Sequence, residues 1–196
     1  MIQSFTVLLR RCKQIAAVIA LITTSAASAN PVPISELAKP GRVLLLRHAI
    51  APGVGDPPQF QLRDCNTQRN LDAAGRRQAA QLGLRIAQAG ARNVKIYAGQ
   101  WCRTLETARL LGLGPVTELP ALNSFFEQPD KREGNLDGVR KFLATLPIDG
   151  SPLVLVTHQV TVTGITGVYP ESGGGAILKL NGTQMPSIVG ELRSGD

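Results

Sequence analysis

Two histidines, His48 and His158, are the whole imidazole content of this chain. Each ends an aliphatic run, "VLLLRH" for the first and "LVLVTH" for the second. A neutral imidazole can serve as a nitrogen nucleophile, a proton carrier or a metal ligand. Arg47 directly precedes His48. Guanidinium forks suit phosphate oxygens, because each presents several N–H donors to a delocalised dianion. Two histidines after like runs, one with Arg47 attached, point to a functional site. Zinc is the weaker reading: no CxxC or HxxxH spacing occurs, so no metal site and no cofactor are expected. Gly53-Val54-Gly55 lacks the third glycine of a dinucleotide fingerprint, and Gly173 to Gly175 is followed by no Lys-Ser/Thr.

Both histidines need elements that deliver them to one place. "RVLLLR" and "PLVLVT" read as buried strands, because unbroken aliphatic runs suit parallel strands covered on both faces. "VKIYA" and "PVTEL" are further strands. Helices are predicted for Leu71 to Ala89, with Asp72 as N-cap and Ala79, Leu82 and Ile86 on one face, for Thr104 to Leu111, for "VRKFLATL" and from about Val160. "AILKLNG" and "PSIVGELR" form a C-terminal hairpin. The alternation gives an α/β fold: a mostly parallel sheet with helices on both faces. Ligands of such sheets collect beyond the carboxyl ends of the strands, where both histidines fall. Residues 51–68, rich in Pro and Gly, form a long loop of the kind that encloses sites. Asn30 to Gly41 reads as a loosely packed arm.

Residues 1–29 carry a secretory signal pattern: Arg10, Arg11 and Lys13, the apolar "IAAVIALI", then Ala27-Ser28-Ala29 at cleavage distance. Cleavage after Ala29 and a periplasmic or secreted protein are expected. The apolar stretch is about ten residues against the roughly 20 of a spanning helix, so no stable membrane span follows. Processing leaves 18 basic and 14 acidic residues, a net charge of +4. The basic residues are scattered and aromatics are few, which argues against nucleic acid and suits a small anionic substrate.

Four motifs carry a resemblance: "LLRHA", "RNLDAAGRRQAAQLG", "YAGQWCRTLETA" and "VLVTHQ". In this order they resemble the histidine phosphatase superfamily, in its phosphoglycerate-mutase-like branch, across Val43 to Gly164. Residues 30–196 are thereby identified as a histidine phosphatase domain. The resemblance implies a phosphomonoesterase in which His48 takes the phosphoryl group as phosphohistidine, with Arg47, Arg103 and His158 around the phosphate. Arginines would stand in for a metal. The family's acid, commonly in "L.E...G", maps to Glu127, with Asp130 and Glu133 as neighbouring alternatives. Phe125-Phe126 is expected to desolvate Glu127 and raise its pKa.

Departures from the family pattern are Ala49 for the commoner Gly, Gly99 and Gln100 for serines, and Thr157 before His158. Gln159 stands where the phytase-like branch has Asp, which disfavours that branch. Among exported members, the chain resembles lipopolysaccharide core heptose phosphate phosphatases, a weaker likeness than that to the superfamily. That likeness implies a phosphorylated small molecule or cell-envelope glycan as substrate. Arg63 and Arg69 could add contacts from the long loop. In an oxidising compartment Cys65 and Cys102 remain after Cys12 is removed, and the fold would bring them to one sheet edge as a disulfide. The alternative to an enzyme is a non-catalytic binder of a phosphorylated glycan or lipid in the same anion pocket.

Overall fold

The structure, a computed structural model, describes residues 30–195. The expected signal peptide, residues 1–29, lies outside the described residues. Strand β1 (Arg42–Arg47) has four consecutive fully buried residues, Val43 to Leu46. It lies inside a six-stranded sheet with β2 (Lys95–Ala98), β3 (Val116–Glu118), β4 (Leu153–Thr157), β5 (Gly175–Asn181) and β6 (Gln184–Leu192). The order is β3-β2-β4-β1-β5-β6. β1, β2, β3 and β4 pair in parallel, while β5 and β6 add antiparallel as the expected hairpin. The sheet is thus mixed, with a parallel half that carries both histidines.

Helices cover both faces. On one, Leu44, Leu46, Val154 and Val156 pack with Leu82 and Ile86 of α1 (Ala73–Gln88) and Ala108 of α2 (Cys102–Leu110). On the other, Val43, Leu45, Leu153 and Leu155 meet Val139 and Leu143 of α3 (Arg132–Ala144) and Val162 of α4 (Gln159–Thr166). Alternate side chains of one strand serve two cores, which is why the strand sequences are continuously apolar. Each such Leu or Val contributes about 1.5–3 kcal/mol by burial.

Three local expectations need correction. The arm Asn30 to Gly41 is not loose: Leu37 is fully buried in the α1/α2 core, Val32 and Ile34 pack against it, and the Val32 amide donates to the Glu191 carbonyl. Two or three apolar anchors outweigh a Pro-rich composition. Helix α3 begins at Arg132, seven residues before Val139, because Leu136, Val139 and Leu143 share one buried face. Gly134 and Gly138 disguised it as a loop; at Gly138 a Cβ would come 2.9 Å from Ala121 Cβ, so the glycine lets the helix lie close. α2 starts at Cys102 rather than Thr104, which places Arg103 in its first turn.

Candidate active site

Parallel pairing sets Arg47 opposite Thr157, so the next residues, His48 and His158, leave the sheet side by side. The His48 amide donates to the Thr157 carbonyl at 2.9 Å, and the two rings meet edge to face with centroids 5.5 Å apart. Both are buried, at 2% and 4% exposure. The chain after His48 is gripped from α1 and α2. The Ala49 amide donates to Thr107 Oγ1, and the Ile50 amide to Gln78 Oε1. Gly75, whose amide donates to the N-cap Asp72, presses against the Ile50 carbonyl so closely that no Cβ would fit.

His48 Nδ1 lies 2.8 Å from the Ala49 carbonyl oxygen. A carbonyl only accepts, so Nδ1 carries the proton and Nε2 keeps its lone pair. Arg103 Nε donates to that lone pair at 3.3 Å. Burial first, then the Arg103 charge, holds the His48 pKa down to about 3. The ring is therefore neutral at any ordinary pH. The same causes keep His158 well below the usual histidine range. Arg103 Nη2 donates to His158 Nδ1 in a long contact of 3.5 Å, which puts the His158 proton on Nε2. That Nε2 and Arg47 Nε are buried with no protein partner. Their residues, His158 and Arg47, line a cleft of about 240 Å³.

Arg47, Arg69 and Arg103 converge on this cleft. Burial holds all three below the ordinary arginine range, and for Arg47 and Arg69 the charge of Arg103 adds to it. One buried anion answers them. Asp56 accepts from Arg103 Nη1 at 2.8 Å and Nη2 at 3.0 Å, from Trp101 Nε1 at 3.0 Å and from the Arg69 amide at 3.0 Å. Burial pushes its pKa up, but the Arg103 hydrogen bonds and those from Arg69 and Trp101 outweigh it and hold the carboxyl below its usual range. With Nη1 also directed at the Arg69 carbonyl at 3.4 Å, all five N–H donors of Arg103 are engaged.

Glu127 lines the cleft, and its carboxylate accepts from the Asp56 amide at 3.1 Å. The expected desolvation by its neighbours does not occur: Phe125 turns into the interior, Phe126 is 55% exposed and Glu127 itself stands exposed. Asp130 and Glu133 are exposed and do not line the cleft. Arg69 does, donating from Nε to the Gly55 carbonyl and from Nη1 to that of Ala51. Arg63 lies elsewhere, in a second depression with Arg76, Glu106 and Arg109. Cys65 and Cys102 are joined as a disulfide, Cα atoms 5.7 Å apart, tying the long loop to the start of α2. Among the described residues no three His, Cys, Asp or Glu side chains cluster as metal ligands.

Sequence reasoning missed Asp56 and Trp101. Asp56 hid in the loop string "GVGDPP", where an acidic residue reads as a solvated turn; the length of the loop was the one available signal. Trp101 was legible only as the neighbour of Cys102 and Arg103. The departures from the family pattern also find reasons. A Cβ at Gly99 would come 2.6 Å from the Leu122 carbonyl oxygen, which leaves no space for serine. Thr157 donates its hydroxyl to the same carbonyl at 2.7 Å.

No family model and no curated protein matches the chain. Solved structures do. The protein histidine phosphatase SixA complexed with tungstate superposes with TM-score 0.58 at 17% identity, over 79% of this chain and 97% of that one. The product of open reading frame Rv3214 from Mycobacterium tuberculosis gives 0.55 at 18%, over 78% and 98%. A phosphoserine phosphatase mutant from Entamoeba histolytica, in complex with phosphoserine, gives 0.52 at 15%, over 78% and 97%. Near-complete coverage of these structures shows that the chain shares their α/β fold, the fold of a protein histidine phosphatase and of a phosphoserine phosphatase.

Proposed function

We propose that the protein is a phosphomonoesterase that works through a phosphohistidine on His48, exported from the cytoplasm and needing no metal. The observation that carries this reading is the state of His48: neutral, its Nδ1 proton bound to the Ala49 carbonyl, its Nε2 lone pair accepting from Arg103, in a cleft that Arg47 and Arg69 also line. Similarity of fold to a protein histidine phosphatase and a phosphoserine phosphatase supports it.

The substrate phosphoryl group enters between His48, Arg47, Arg103 and His158. Arg47 Nε and the His158 Nε2 proton, partnerless in the protein, bind its oxygens, and the dianion competes with Asp56 for Arg103. Charge-assisted hydrogen bonds of this kind contribute about 1.5–3 kcal/mol each. Nε2 attacks phosphorus, the P–O ester bond breaks, and the leaving oxygen takes a proton from Glu127. Glu127 then removes a proton from water, the hydroxide attacks the phosphohistidine, and inorganic phosphate leaves with Nε2 restored. The Ala49 carbonyl holds the ring in one tautomer throughout. Guanidinium groups supply the positive charge that phosphoryl transfer needs.

Export is supported by the Cys65–Cys102 disulfide, because such bonds persist in oxidising compartments. No helix of the described residues is long and apolar enough to cross a membrane. The resemblance of the sequence adds a cell-envelope glycan phosphate as one substrate class.

The experiment is direct. Purified protein quenched in alkali during turnover should carry acid-labile phosphate, and His48→Ala should lose both label and activity by at least about a thousandfold. Full activity in His48→Ala would overturn the mechanism. Tight phosphate-ester binding without turnover in the wild type would identify a binder instead.

A further inference from the structure

Around the cationic floor the cleft wall is mixed: Ser124, Glu127, Gln128 and Gln159 share it with Val54, Phe126 and Tyr169. Eight large hydrophobic side chains are exposed among the described residues, and three of them, Val54, Phe126 and Tyr169, line this one cleft. They include the two most exposed of all, Val54 at 85% and Tyr169 at 73%. Scattered single hydrophobics on a surface need no explanation, but convergence on one cleft marks a binding surface. The three come from separate segments: the loop after β1, the connection from β3 to α3, and the turn before β5. Val54 lies between Gly53 at φ 93° and Gly55 at φ 67°, both in the left-handed region that glycine enters without steric cost. At Gly55 a Cβ would collide with the Glu127 carboxylate, so the backbone that presents Val54 also passes against the proposed acid. Deeper in, Phe60 and Trp101 pack at a tilt with centroids 5.5 Å apart, and Trp101 meets the His158 ring edge to face at 5.3 Å.

We infer that the preferred substrate is a phosphate monoester of an apolar alcohol, its phosphate on the arginines and its alkyl or aryl group against Val54, Phe126 and Tyr169. This rests on the phosphomonoesterase reading above and narrows it. Ser124, Gln128 and Gln159 also line the cleft, but the lining hydrophobic side chains that stand furthest into solvent are Val54 and Tyr169, and an alkyl chain gains from covering that exposed apolar surface. At about 240 Å³ the cleft is small for a ligand pocket. It encloses the phosphate and the first carbons, and the rest of the alcohol lies along the rim.

The test is a homologous series, ethyl, butyl, hexyl and octyl phosphate below micellar concentration, with glycerol phosphate and a hexose phosphate as polar comparators. The full protein should show kcat/KM rising roughly two- to fourfold for each of the first methylenes, then levelling off. The polyols should be the poorest substrates. A flat series, or a preference for hexose phosphate, overturns the inference and favours a glycan. Replacing all three rim residues, Val54→Asn, Phe126→Ser and Tyr169→Ser, should bring the octyl-to-ethyl ratio toward unity with the melting temperature kept, since all three are surface side chains. An unchanged ratio overturns it. Should no ester turn over and no phosphohistidine form, the phosphatase reading fails by itself. Calorimetric binding of octyl against ethyl phosphate then decides the present inference, tighter binding of octyl supporting it and equal binding overturning it.

Discussion

At the scale of single residues, the site is a balance between three cations and the anions allowed to meet them. Asp56 is the resident anion, and its carboxylate takes the fork of Arg103 that a phosphate would use. Asp56→Asn should therefore bind inorganic phosphate about tenfold more tightly, as removal of a competing charge is worth at least one charge-assisted hydrogen bond. It should also melt earlier, because Arg103 is left buried with an incomplete partner. Added phosphate should then raise the melting temperature more in the variant than in wild type. Weaker phosphate binding would instead mark Asp56 as a positioning residue. For Glu127, the measurement is leaving-group dependence. Glu127→Gln should slow alkyl phosphates by about a hundredfold or more and aryl phosphates with acidic phenols far less, since the latter leave without a proton. An equal loss for both would remove Glu127 from that role. Histidine protonation sets a pH window. The folded pKa of His48 is about 3 and its ordinary value 6.5, so the unfolded chain binds more protons between them. Stability from this group is complete above pH 6.5 and is lost as pH falls toward 3. Denaturant titrations at about pH 7 and pH 4.5 should show a smaller loss in His48→Asn than in wild type.

Elements position these residues by close approach. The first turn of α1 lies against the chain leaving His48, with Gly75 on the Ile50 carbonyl and Gln78 bridging the Ile50 amide and the Ser172 carbonyl. Gly83, two turns on, meets the Leu111 carbonyl, which lies outside the cleft lining. Both glycines are too crowded for a Cβ, so alanine at either should cost about 1–3 kcal/mol of stability. Their effects on activity should differ. Gly75→Ala displaces the segment that holds Nδ1 of His48 and should lower kcat at least about tenfold in protein that remains folded. Gly83→Ala should lower the melting temperature and leave kcat of the folded protein near wild type. Equal losses of kcat would show that α1 does not orient His48.

Across the whole molecule, the Cys65–Cys102 disulfide connects the long loop to the helix that carries Arg103. The bond spans 37 positions, for which the chain-entropy relation gives about 4 kcal/mol as an upper figure. Thiol titration of the denatured, unreduced mature protein should find no free thiol. Reduction should lower the melting temperature and weaken substrate binding together, because the loop that bears Asp56 and Val54 loses its tether. Loss of stability with unchanged KM would confine the bond to a structural role.

From the sequence alone, the parallel core, the capped helix α1 and two strand-end histidines, one beside Arg47, could be read, and the family resemblance added Arg103. These features rest on short-range signals: unbroken apolar runs, an Asp at an N-cap and side chains adjacent along the chain. The hairpin and the four ordered motifs were legible for the same reason. Only the tertiary structure decided the rest. Asp56 and Arg103 are 47 positions apart, and no local periodicity announces that a loop carboxylate will fill a guanidinium fork. The tautomer of His48, the exposure of Glu127, the exclusion of Arg63 from the cleft and the burial of Leu37 likewise depend on which segments meet. Packing chooses among conformations that composition leaves equally open, because burial and charge pairing act through space rather than along the chain.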